Sequence, residues 1–210
     1  MKYLGKPAGM WALFAGSFEK HLTVEFDLTA GQAKDVAARA KKKYREIIAK
    51  LPEFDKRDRF EMNIVNCAML AAFILCMPQR PDIKTLTDYY AAAMMTPTMK
   101  AFCRASGKKK FTPKDIEGMK ATAKLRAGDR NPYSWNMDFF EYEDGSGYEA
   151  RFTTCGICTL MQVLGLYDLT PALCHLDYTM SDAGGASDFV REYTLVSGGP
   201  YCDCGYHKKQ

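Results

Sequence analysis

The sequence predicts an α+β fold in which an N-terminal helical bundle is followed by an antiparallel sheet of two hairpins with two intervening helices. Three observations carry that reading. Apolar residues recur at helical spacing through the first part of the chain, the period turns strand-like near Trp135, and the alternating runs are joined by Asp144-Gly145-Ser146-Gly147 and Ser197-Gly198-Gly199-Pro200. A chain of 210 residues buries a substantial core as one unit. One domain over 1–210 is therefore expected, mainly helical over 1–130 and sheet-containing over 131–210.

Taken in order, Trp11, Phe14, Phe18 and Leu22 fall three and four residues apart, which makes one face of a first helix over Met10 to Leu22. The apolar patch Gly9 to Gly16 is short and runs straight into Glu19-Lys20-His21, so it belongs to that helix and not to a signal peptide. Thr29 is placed to cap a second helix reaching about Leu51, with Ala33, Val36, Ala37, Ala40, Tyr44, Ile47 and Ile48 as its buried stripe and Pro52 as its stop. From Phe60 to Met77 apolar residues almost surround the helix, which marks it as central. Ile83 to Ala105 reads as one helical stretch bent at Pro97, and Thr112-Pro113 caps and opens a helix to about Leu125.

The second part alternates over Trp135 to Tyr142 and Tyr148 to Thr153, a β-hairpin. A short helix follows from Cys155 to about Leu164, capped by Thr153 or Thr154 and closed by Gly165. Thr170-Pro171 opens a second one that ends before Gly184-Gly185. Phe189 to Val196 and Tyr201 to Tyr206 form the closing hairpin.

The composition, 47% hydrophobic and 26% charged, is that of a soluble globular protein, and no stretch approaches a membrane span. The formal charge of +4 comes mainly from Lys41-Lys42-Lys43 and Lys108-Lys109-Lys110. Both runs read as solvated surface, since nucleic-acid binding calls for basic residues interleaved with aromatics on one surface. Neither a nucleic-acid nor a membrane partner is expected. The eight cysteines are read as reduced, cytoplasmic thiols, because a chain this long and helix-rich needs no disulfide framework.

Five of those cysteines, Cys155, Cys158, Cys174, Cys202 and Cys204, fall between Thr153 and Tyr206. Cys155 sits at a helix start, where unpaired amides and the helix dipole favour thiolate. Cys155-Gly156-Ile157-Cys158 has redox-motif spacing, but its neighbours form hairpins and not a βαβ unit. Cys174 and Asp177 are three apart and share a helix face, suiting a nucleophile beside a proton carrier. Cys202 and Cys204 share one face of the last strand and Asp203 takes the other. Arg151 and Arg191 lie on inferred strands, from which either can grip a substrate carboxylate or simply be a surface charge, the commoner outcome. Zinc is the alternative, held by Cys155, Cys158, Cys174, Cys202 and Cys204, although Cys202-Asp203-Cys204 departs from common zinc-hook spacing.

The runs R-F-T-T-C-G-I-C-T-L-M-Q-V-L-G-L-Y-D-L-T-P-A-L-C-H-L-D-Y-T-M and R-E-Y-T-L-V-S-G-G-P-Y-C-D-C resemble the L-2-amino-thiazoline-4-carboxylic acid hydrolase family. The similarity lies in a cysteine after a strand, a Cys-x-x-Asp motif and a closing Cys-Asp strand, and is strongest over about Arg151 to Cys204. By position it implies functional roles for Cys155, for Cys174 and Asp177, and for Cys202 and Asp203. Cys204 stands where the family has an aromatic, and Cys158 is extra. The resemblance implies a cytoplasmic α+β hydrolase that opens a small cyclic thiazoline or amidine amino-acid derivative without a cofactor. A non-catalytic module binding a small molecule or zinc in the same pocket is the other reading.

Overall fold

The structure is a computed structural model describing residues 6–209. Its helices are α1 (Lys6–Glu25), α2 (Ala30–Lys50), α3 (Glu61–Ile74), α4 (Ile83–Met94), α5 (Pro97–Gly107) and α6 (Pro113–Arg126), then α7 (Gly156–Val163), α8 (Thr170–Cys174) and α9 (Leu176–Gly184). The strands are β1 (Met137–Glu141), β2 (Gly147–Phe152), β3 (Ser187–Val190) and β4 (Cys202–Lys208). They form an antiparallel sheet in the order β1-β2-β4-β3, so the two hairpins meet along β2 and β4. The α+β architecture predicted from periodicity is the one found.

The helical layer follows from its apolar faces. Met10, Phe14, Phe18 and Leu22 of α1 are buried, as are the seven stripe residues of α2. Burying a side chain of this kind contributes about 1.5–3 kcal/mol. Thr29 closes a capping box with Gln32, satisfying amides that the first turn of α2 leaves open. The α3 helix runs through the centre with Ile64, Val65, Ala68, Met69, Leu70, Ala71, Ala72 and Phe73 all out of contact with solvent. No polar face survives there because neighbours lie on every side.

Four expectations about elements are corrected. Ile83 to Ala105 is two helices, since Thr96 leaves helical geometry to cap α5 with Pro97 in its first turn. The helix after Thr170 is interrupted at His175, where α8 ends and α9 begins, so Cys174 and Asp177 lie on consecutive helical segments. The third strand stops at Val190 and not at Val196. Glu192 and Tyr193 turn their amides onto the Asp203 carboxylate, at 2.7 and 2.6 Å, and a 3-10 turn at Leu195–Ser197 follows. Finally, β1 starts at Met137, leaving Trp135 in the loop after α6.

One face of the sheet packs on the helices. Met137, Ala150, Phe189 and Cys204 are buried there with Phe139, Phe152, Tyr178 and Tyr206. The loop from 127 to 136 is pinned to the bundle by a buried ion pair. Arg126 meets Asp58 at 3.2 Å, donates from Nη2 to Ser134 Oγ at 2.8 Å and from Nε to the Trp135 carbonyl at 3.1 Å. Asp129 is a further ion-pair partner of Arg126, and both side chains of the Asp58–Arg126 pair are 1% exposed.

The Lys108-Lys109-Lys110 run divides. Lys108 and Lys109 are exposed, as solvated surface charges should be. Lys110 instead lies over the Tyr206 ring, 3.2 Å from its centroid, with Tyr148 and Phe111 at 5.4 and 5.8 Å. Burial pulls its pKa down to about 8. Among the described residues, no helix is long and apolar enough to cross a membrane.

Candidate active site

Cys155 is the N-cap residue of α7, with extended backbone (φ −136°, ψ 112°). It does not occupy the first turn, as expected from a Thr154 cap, because the Thr154 hydroxyl accepts the Asn136 amide at 2.8 Å and is spent on the loop after α6. Gly156 follows because the chain passes against that same loop. A Cβ at Gly156 would stand 2.2 Å from the Tyr133 carbonyl oxygen and 2.9 Å from Ile64 Cδ1. The loop that Arg126 pins therefore forms one wall of the Cys155 environment.

The sulfur closes no side-chain cap hydrogen bond. It nevertheless lies near enough to polar hydrogens for its pKa to be lowered to about 7. The thiol of Cys158 is the largest cause, followed by the amides of Cys158 and Ile157 and the Trp135 indole, against the opposing effect of burial. Cys158 moves the other way, raised first by the same thiol contact and then by burial. Burial and then the Cys155 charge push Cys174 up to about 12. Burial likewise raises Cys67, Cys202 and Cys204. Cys155 is the one thiol of this group whose surroundings lower its pKa.

This arrangement has a measurable consequence. A thiol of pKa about 7 is about half ionised at neutral pH, against about one part in a hundred for one at the usual 9.0. Lowering the pKa moves the rise in reactivity to lower pH. Alkylation of Cys155 by iodoacetamide, followed by peptide mass spectrometry, is expected to climb through pH 7 and level off by about pH 8. Cys174 should still be climbing there. A Cys155 profile that keeps rising above pH 8.5 contradicts this assignment.

Arg191 is the second centre. Its Nη2 donates to Asp177 Oδ2 at 2.6 Å and to Cys204 Sγ at 2.8 Å, its Nη1 to the Cys174 carbonyl at 2.9 Å, and its Nε to the Asp203 carbonyl at 3.0 Å. Phe189 lies under the guanidinium, 4.7 Å from it. Four contacts to α8, α9 and β4 make this arginine a clamp between helices and sheet. An open cleft of about 260 Å³ lies alongside, lined by Pro171, Cys174, His175, Tyr178, Arg191, Glu192, Thr194 and Ser197.

The structure thus gathers some of the expected residues and separates others. Cys174 and Arg191 line the cleft, and Asp177 is held against Arg191 with its side chain 44% exposed. Cys155 is not among the residues that line the cleft, though its charge adds to the upward shifts of Cys174 and Cys202. Cys202 is buried and its sulfur accepts the Leu195 amide at 3.2 Å. Asp203 turns its carboxylate to the loop after β3, where it fixes the backbone that carries Arg191. Arg151 pairs across the sheet with Asp203, so both point to the face opposite Cys204. There Arg151 binds Glu149 and lies between Phe140 and Tyr201, at 4.7 and 4.8 Å.

Among the described residues, no three His, Cys, Asp or Glu side chains are grouped to hold a metal ion. The five-cysteine zinc set therefore finds no geometric support. Sequence reasoning passed over Cys67 and Trp135. Cys67 lies at the centre of α3 within the charge field of Cys155 and Cys174, and its only mark in the sequence is a polar Asn66-Cys67 step in an apolar run. Trp135 opens an alternating run and so has strand character, though Asn131-Pro132 just before it signals a loop.

No curated protein and no solved structure matches the chain. The family model described as L-2-amino-thiazoline-4-carboxylic acid hydrolase matches residues 62–206, from α3 to the end of the sheet's inner face, and so spans every cysteine and acid of the site. The chain belongs to the L-2-amino-thiazoline-4-carboxylic acid hydrolase family.

Proposed function

We propose that the protein is a hydrolase that opens the ring of a small thiazoline amino acid such as 2-amino-thiazoline-4-carboxylate, with Cys155 as nucleophile. The observation that carries this reading is the placement of Cys155 at the N-cap of α7, where the fold favours the thiolate, in a chain whose family is named for that reaction. The Cys155 thiolate attacks C2, and the bond between C2 and the ring sulfur breaks. That sulfur leaves with a proton as the substrate's own thiol. Water then adds to C2, loses its protons and expels the Cys155 thiolate, giving a carbamoyl derivative of the opened amino acid.

Asp177, fixed by Arg191 and partly open to solvent, carries protons between water and the leaving groups. Arg191 lines the cleft, but its side chain is 7% exposed and its donors already hold Asp177, Cys204 and the backbone, so its part is to fix Asp177 and not to grip the substrate carboxylate. Cys202 and Asp203 act by holding the loop from 191 to 201 in place. Arg151, on the far face, drops out of substrate binding. We place this chemistry without a cofactor.

Each ring opened yields one free thiol. Purified protein given 2-amino-thiazoline-4-carboxylate is expected to release thiol in proportion to time and enzyme, read with a chromogenic disulfide reagent. Absence of release above the buffer rate, from protein that is folded by circular dichroism, rejects the reading. A small molecule that protects Cys174 from alkylation without being turned over points to the binding module instead, because Cys174 lines the cleft.

A further inference from the structure

Cys158 has no task in the proposed hydrolysis, yet its sulfur is the largest single influence on Cys155. The two residues occupy the N-cap and third position of α7, one turn apart. The extended backbone of Cys155 is that of an N-cap, whose side chain folds back over the first turn toward the third position, where Cys158 stands; a disulfide brings such Cβ atoms to roughly 3.5–4.5 Å. Both cysteines are free and partly exposed, whereas Cys67, Cys103, Cys202 and Cys204 are buried. Gly156, between them, packs closely against the Tyr133 carbonyl, and both cysteines are half-buried.

From this juxtaposition we propose that Cys155 and Cys158 are a dithiol that exchanges with low-molecular-weight disulfides and closes into a reversible disulfide across the first turn of α7. The Cys155 thiolate attacks one sulfur of the incoming disulfide, whose S–S bond breaks to give a mixed disulfide on Cys155 and one free thiolate. Cys158 gives up its proton to that thiolate and attacks the Cys155 sulfur. The second small thiolate leaves, and the protein disulfide remains. Two protein thiols are oxidised by two electrons, and the small disulfide is reduced to two thiols.

The order of events is built into the pair. The contact with Cys155 is the first cause that holds the Cys158 proton in place. Once Cys155 is capped by the small thiol it carries no charge and no longer competes, so Cys158 is released to act as the resolving thiol. This chemistry needs no βαβ setting, because the helix N-terminus and the two sulfurs supply it. A thiol reductant reverses it. While the disulfide is closed, Cys155 is withdrawn from any other reaction.

The test uses full-length reduced protein and oxidised glutathione. After incubation, free thiols are alkylated and the protein is read by intact mass and fragment spectra. Expected in the wild type are a loss of two alkylatable thiols, no retained glutathione, and a bond located between Cys155 and Cys158. The Cys158→Ser protein should keep one glutathione on Cys155, and the Cys155→Ser protein should react at Cys158 at least about tenfold more slowly. A stable glutathione adduct on wild-type Cys155, or a disulfide from Cys155 to Cys174, overturns the proposal. The readout is thiol state, so it is independent of turnover. A protein that forms the disulfide but opens no thiazoline keeps the dithiol and loses only the hydrolytic reading.

Discussion

Replacing Cys155 with serine is expected to lower turnover of 2-amino-thiazoline-4-carboxylate by at least about a thousandfold, the scale on which loss of a catalytic nucleophile is felt. Serine keeps the volume and a polar tip, so α7 and the Tyr133 to Asn136 wall should stay in place. What disappears is a group ionised near neutral pH, since a serine hydroxyl gains far less from the same amides. Urea unfolding of the variant should fall within about 1 kcal/mol of the wild type. That pairing of a large kinetic loss with a small stability change separates chemistry from folding.

Cys174 is the control that gives this prediction its force. It lines the cleft, yet burial and the neighbouring Cys155 charge push its pKa up to about 12, so it stays a neutral thiol. Cys174→Ala is therefore expected to act through substrate fit, raising KM by roughly tenfold or less with kcat largely kept. If the two variants exchange phenotypes, the nucleophile is Cys174 and Cys155 is a neighbour. The pH dependence reports the same distinction independently. The rising limb of kcat/KM in the wild type should follow the Cys155 thiolate through about pH 7.

Several element ends set by caps and tight turns are legible in the sequence. Thr29 with Gln32, Thr112 before Pro113, and Asp144 to Gly147 each fix an element end by short-range hydrogen bonding, and each stands where spacing placed it. Two misses are local cues, Thr96-Pro97 splitting a helix and Asn131-Pro132 opening a loop; the others arise where a distant residue overrides the local preference. Phe189 to Val196 has strand character, but Asp203 draws two of its amides out of the ladder. Lys110 sits in a basic run that reads as surface, and the aromatic rings that enclose it come from strands far along the chain. The site divides the same way. The cysteine at a helix start and the Cys174 and Asp177 step are local patterns. That Arg191 joins Asp177 to Cys204, while Arg151 points away, depends on strand register, where a shift of one residue exchanges the faces.

Arg126→Ala is expected to cost about 3–5 kcal/mol, the range for breaking a buried ion pair by removing one partner. The loss is large because the guanidinium does four things at once. It neutralises Asp58, meets Asp129, and donates to both Ser134 and the Trp135 carbonyl, all with 1% of the side chain exposed. Without it, among the described residues, the Asp58 carboxylate keeps the Ser134 hydroxyl, at 2.5 Å, and the Phe60 amide, at 2.8 Å, as donors. An uncompensated buried charge is the main cost. Asp58→Asn with Arg126→Met removes both charges and should recover much of the loss, giving a double variant more stable than the sum of the single effects. Urea midpoints of the wild type, Asp58→Asn, Arg126→Met and the double variant measure this coupling, and additive effects would refute it. The same contact reaches the site, because Trp135 helps to lower the Cys155 pKa and Asn136 donates to the neighbouring Thr154. In Arg126→Lys, which keeps the charge but loses the planar fork, the chain should fold with a looser wall. Alkylation of Cys155 should then rise at a higher pH than in the wild type, toward the ordinary thiol value. An unchanged profile would mean that the α7 terminus alone prepares the thiolate and that the buried pair serves only stability.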